Sequence, residues 1–192
     1  MVQMATSKSA SNSLYYGWRL GILVMLLIAT SFVMPKNKKD DLTKEDQIVI
    51  STLINLSERI EKKYTLTRGN AGITWPGGPI QALALCFDTK CPYTKEQLRD
   101  LVIGSAQEFL EQINKNEEIQ EFLKERPFTI KNIQIVIYNQ GGDCGKLLDP
   151  EIATVQIMEG ILSYRTIDPN NIFSFKNKIE ESYEEALQLI NR

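Results

Sequence analysis

Residues 132–167 read NIQIVIYNQGGDCGKLLDPEIATVQIMEGILSYRTI. Ile133, Ile135 and Ile137 alternate with Asn132, Gln134 and Val136, the period-two pattern of a half-buried strand. After a polar, glycine-rich loop from Asn139 to Pro150, two more strands are predicted at Ile152–Met158 and Ile161–Ile167, with Glu159-Gly160 as the turn between them. Consecutive strands with short joins point to antiparallel pairing.

Helical patterns surround this block. Upstream, Thr43 and Asp46 form a cap signal, and Val49, Leu53, Leu56 and Ile60 recur at helical spacing, widened by Ile50 and Ile54, so a helix is predicted to about Tyr64. Residues 65–79 hold four glycines and two prolines and read as a loop or irregular hairpin. Ile80 to Phe87 is a nearly continuous apolar run, fitting a strand buried on both faces. Thr94 and Gln97 then form a capping box for a long helix with Leu98, Leu101, Val102, Ala106, Phe109, Leu110 and Ile113 on one face. Asn114-Lys-Asn116 ends it, and a short helix carries Ile119, Phe122 and Leu123. Asp168-Pro-Asn-Asn171 is turn chemistry, and Phe175, Ile179, Tyr183, Ala186, Leu187 and Ile190 share a face at helical spacing, predicting a last helix. The order is α-β-α-α-β-β-β-α, a two-layer α+β domain with an antiparallel sheet packed against helices.

The N-terminal region is different in kind. Of the 192 residues, Leu20 to Met34 are fifteen without a charge, and extending back to Leu14 gives twenty-one with a single Arg19 near the end. A bilayer core takes about 20 helical residues. Tyr15, Tyr16 and Trp18 suit the membrane interface, Pro35 ends the run, and Lys36, Lys38 and Lys39 mark its other boundary. The expected organisation is a polar tail (1–13), a transmembrane signal-anchor helix (14–34), a charged linker (35–42) and an α+β domain (43–192), exported across the membrane. A rival reading makes Leu20–Ile28 the apolar region of a signal peptide cleaved near Ser31. The net charge of −2 divides into +3 over residues 1–41 and −5 over the rest, which disfavours nucleic acid as a partner of the domain.

Composition excludes much chemistry. The chain has no histidine, so histidine-based triads, imidazole metal ligands and imidazole pH switches are absent. Three cysteines are too few for a four-cysteine zinc site, and no cofactor or metal motif is present. Gly141-Gly-Asp-Cys-Gly-Lys146 has a superficial likeness to a phosphate-binding loop. Gln140 stands at the first glycine position and Leu147 at the final hydroxyl position, so the motif fails. Cys144 in that loop, beside Lys146, is the one candidate for a reactive thiol, although the usual histidine base is missing. Cys86 and Cys91 are spaced too widely for a redox pair and suit either a small-loop disulfide or, for Cys86, a core position on a buried strand. The rigid Trp75-Pro-Gly-Gly-Pro79 turn, with Arg68 and Asn70 nearby, suits an interface anchor. Trp75, Arg68, Asn70, Cys144 and Lys146 are therefore the candidate binding residues. The glutamates at 108/111, 117/118/121 and 180/181/184/185 read as solvated helix faces.

The expected function is that of a single-pass membrane protein whose non-catalytic domain binds a protein partner or envelope component. An exported enzyme using Cys144, or a scaffold that forms a homodimer through its first helix, are the alternatives.

Overall fold

The structure is a computed structural model, and it describes residues 42–74, 78–140 and 145–191. The chain divides between Leu42 and Thr43 into two units, and the second is an α+β fold built on one six-stranded sheet. The proposed membrane segment, 14–34, lies outside the described residues. Among those described, no helix is long and apolar enough to cross a membrane.

Helix α1 (Lys44–Tyr64) starts at the predicted Thr43–Asp46 capping box, and Thr65 closes it in the left-handed conformation. Its stripe of Val49, Leu53, Leu56 and Ile60 is buried in the domain's own core, while Ile54 faces solvent. Strand β1 (Thr67–Thr74) follows and pairs antiparallel with β2 (Ala82–Asp88). The long helix α2 (Lys95–Lys115) and the single turn α3 (Glu117–Gln120) carry the chain across the sheet to β3 (Ile133–Tyr138), which runs parallel to β2. Strands β4 (Thr154–Met158), β5 (Ile161–Asp168) and β6 (Asn171–Ser182) are added antiparallel in sequence order, and α4 (Tyr183–Ile190) ends the domain.

Four expectations are narrowed or corrected. Of the loop or irregular hairpin expected over residues 65–79, the hairpin is what forms: strand β1 pairs with β2 and shifts register between Arg68 and Ala71. Its glycines have a packing reason: a side-chain carbon on Gly69 would stand 3.1 Å from the Cys86 carbonyl oxygen, at the register shift where β1 bends against β2. The second correction is β2 itself, whose residues alternate between buried and half-buried, so it is not enclosed on both faces. Third, the sheet is not wholly antiparallel, because a helix-bearing connection returns β3 to the same direction as β2. Finally, Phe175 and Ile179 lie on β6, not on the last helix. Their i, i+4 spacing imitates a helix, but Asp168–Asn171 folds the chain back as a hairpin, and the true helix start is the Ser182–Glu185 capping box.

The observed order is thus α-β-β-α-α-β-β-β-β-α. Register explains the core. Leu85, Ile135 and Ile157 are neighbours across β2, β3 and β4, and Phe87, Ile137, Val155 and Tyr164 form the next row across to β5. All of these are buried, and the helices pack on this face. Gly104 in α2 makes room for the Tyr64 side chain of α1, since an added side-chain carbon would meet the Tyr64 hydroxyl at 2.6 Å.

Candidate functional site

The carboxyl ends of the parallel pair β2 and β3 form one end of the sheet, the place where open α/β sheets commonly hold ligands. Thr89 and Asn139, which follow these strands directly, tie the end together. The Asn139 amide donates to the Tyr93 and Ile152 carbonyls at 3.0 and 2.7 Å, and its oxygen accepts from the Tyr93 backbone N–H at 2.9 Å. Thr89 Oγ1 donates to the Gln140 carbonyl at 3.0 Å and accepts from the Gln140 N–H at 2.9 Å. Over this floor lies an open cleft of about 500 Å³, between Tyr93, Thr94 and Lys95 on one side and Leu147, Pro150 and Glu151 on the other.

One cluster of polar groups beside the cleft is engaged in holding elements together. Lys95 Nζ stands 4.9 Å over the ring of Tyr164, a cation–π contact. The Tyr164 hydroxyl donates to Glu181, and Arg99 grips the same carboxylate with two bonds of 2.8 and 3.0 Å. Burial raises the Glu181 carboxyl, yet the bonds from Arg99 and Tyr164 outweigh it and hold the group below its ordinary range. Burial, with the carboxylate beside it, pushes the Tyr164 phenol up, so it stays a donor. This arrangement fastens β5, β6 and α2 together. Burial and nearby Asp88 also push the Cys86 thiol up, away from the thiolate that nucleophilic chemistry needs. Cys86 and Cys91 are both free thiols.

A second groove of about 530 Å³ runs between α1 and α2 and includes Asn55, Arg59, Lys62 and Gln112. Beside it, Glu108 is only 3% exposed and binds both Lys63, at 2.6 Å, and Arg59. The Lys63 hydrogen bond, aided by Arg59, holds its carboxyl below the ordinary range. Glu108 and Glu181 are therefore corrections to the reading of the acidic clusters as solvated faces. In each case two helices, or a helix and a strand, bring a cation over the carboxylate.

The face of the sheet opposite the core carries no helix among the described residues. It presents Tyr138, Met158, Ile161 and Phe175 as exposed apolar side chains, with Arg165 stacked 5.1 Å over Phe175. Register puts Met158 beside Ile161, and Phe175 opposite Ile167.

The sequence-derived candidates are distributed as follows. Trp75 and Cys144 lie outside the described residues. Arg68 points to the helical layer and binds Glu58 and Glu61 of α1 at 3.1 and 3.0 Å, fastening β1 to that helix. Asn70 is exposed at the irregular step of β1. Lys146 stands 5.5 Å over the Phe173 ring, on the hairpin at the other edge of the sheet. Four strands separate β1 from β6, on the order of 24 Å at the usual strand spacing, so Arg68 and Asn70 are not brought together with Lys146. Asn139, Glu181 and the open sheet face were not singled out from the sequence. The alternation of Ile133–Ile137 did imply an outer face, but not which side the helices would leave bare.

Among the described residues no group of three or more acidic or cysteine side chains is placed to hold a metal. No family model, curated protein or solved structure matches the chain, so its functional reading rests on its own geometry.

Proposed function

We propose that this chain is a single-pass membrane protein, anchored by residues 14–34, whose Thr43–Arg192 domain is a non-catalytic module that binds a protein partner. The observation supporting the binding role is the sheet face that no described helix covers, where Tyr138, Met158, Ile161 and Phe175 are exposed together. The polar clusters nearer the clefts are spent on holding elements together, which supports binding over catalysis. The anchor is supported by the uncharged run and its aromatic and basic flanks.

Carbonate extraction of membranes tests the anchor: the full-length chain stays in the pellet, and its release intact overturns the proposal. A photo-crosslinking residue tests the face. Placed at Met158 it forms an adduct with another protein in cells, and placed at Glu111, exposed on α2, it does not. Adducts at neither position, or equally at both, remove the open face as the binding surface.

A further inference from the structure

We propose that two copies of this chain pair edge to edge through β6, antiparallel, about a two-fold axis passing at Ile179. Among the described residues strand β6 is the last in the sheet and pairs only with β5, so its outer edge presents backbone N–H and C=O groups with no partner among them. None of its twelve residues is fully buried. Exposed long edges of this kind template pairing with another chain unless something blunts them.

The hydrogen-bond parity of the sheet fixes which groups point outward. Glu159 and Gly160 both have positive φ, 52° and 79°, making a two-residue turn that sets Met158 and Ile161 as a hydrogen-bonded pair. Ile161, Ser163 and Arg165 therefore direct their backbone groups to β4, and Leu162 and Tyr164 direct theirs to β6, opposite Glu181 and Ile179. The Tyr183 N–H donating to the Gly160 carbonyl at 2.9 Å continues the same alternation. Consequently Lys178 and Glu180 aim their N–H and C=O groups at the free edge. The register irregularities fall between Arg165 and Asp168, so this part of β6 is regular.

Charge then selects the register. In a two-fold antiparallel pair the axis passes at a residue. An axis at Asn177 sets Lys176 against Lys178 of the second copy. One at Lys178, Glu180 or Glu181 sets a charged residue against its own copy. An axis at Ile179 sets Lys178 against Glu180 of the second copy, twice, with four backbone hydrogen bonds between them and the two Ile179 side chains in contact. Lys178 and Glu180 already pair at 2.6 Å within the strand and are each about half exposed, so in the pair the four charges alternate in sign. Lysine on an edge usually discourages pairing, but in the register centred on Ile179 each Lys178 meets an opposite charge. The occupant is a second copy because the edge complements itself, and this holds whether or not residues 14–34 span a membrane.

Sedimentation of the full-length chain, in detergent where extraction requires it, is expected to show a dimer. Lys178→Glu is expected to convert it to a monomer, and Lys178→Glu combined with Glu180→Lys to restore the dimer, with circular dichroism confirming that each variant is folded. Ile179→Cys is expected to form an intermolecular disulfide on mild oxidation, because unbonded antiparallel partners have Cα atoms about 4.5 Å apart. Lys176→Cys is not, since its copies would stand about 20 Å apart along the strands, and the unsubstituted chain oxidised in parallel controls for the native thiols. A monomeric wild type, a Lys178→Glu variant that stays dimeric, or a double variant that stays monomeric overturns the proposal. Equal cross-linking at 176 and 179 overturns the register.

Discussion

Asn139 is the residue on which most of the sheet's carboxyl end depends, since one side chain satisfies backbone groups of both the 89–94 and the 150–153 segments. It is 3% exposed, and removing it takes the partners from part-buried backbone groups of Tyr93 and Ile152. Asn139→Ala is expected to cost at least about 2 kcal/mol, given roughly 1–3 kcal/mol for each buried group left unsatisfied. Urea unfolding checks this, with Gln140→Ala as an exposed neighbour for comparison. Ser105 is the converse case. Its hydroxyl is fully buried in α2 and has no hydrogen-bond partner among the described residues, so it contributes packing at a polar cost.

At the scale of elements, the β4–β5 hairpin is well made except at one position. Glu159 occupies a left-handed site that an L-residue with a long side chain adopts reluctantly, whereas asparagine before glycine is the favoured pair for this turn. Glu159→Asn is expected to raise stability by about 0.5–1 kcal/mol, read as a higher urea midpoint with an unchanged slope. The β5–β6 hairpin is held differently. Asp149, from the preceding loop, accepts from Thr166 at 2.8 Å, Asn177 at 2.6 Å and Lys176 at 2.8 Å, so one carboxylate binds both strands at their irregular step. Lys176 foremost, with the Thr166 and Asn177 bonds, holds that carboxyl below its ordinary range.

Over the whole molecule, Glu108, Asp149 and Glu181 join separate elements, and all three are depressed below their ordinary values. A carboxyl whose folded pKa lies below its unfolded one stabilises the fold fully above the unfolded value. That contribution is lost as the pH falls through the folded value. The urea midpoint is therefore expected to be flat above about pH 5 and to fall steadily towards about pH 2. Glu108→Gln is expected to lower the midpoint at neutral pH and to flatten the acid slope, because the lost proton linkage is its own. An unchanged slope would mean that Glu108 titrates alike in both states.

The helix starts at Thr43 and Thr94, the buried stripes of α1 and α2, strand β3 and the Glu159-Gly160 turn were all legible in the chain, because each depends on residues within a few positions of one another. Strand β6 was not, and β1 was legible only as one of two alternatives. The glycines of β1 look like loop until Cys86 is placed against them, and Phe175, Ile179 and Tyr183 fit a helix as well as they fit a strand until β5 supplies its ladder. The same limit applied to the charges. Nothing local separates Glu108 or Glu181 from the solvated glutamates around them, and only the arrival of Lys63 and Arg99 from other elements makes them structural. Short-range chemistry was settled by the order of residues. Which sheet face carries no helix, and which edge has no partner strand, among the described residues, was decided by long-range pairing.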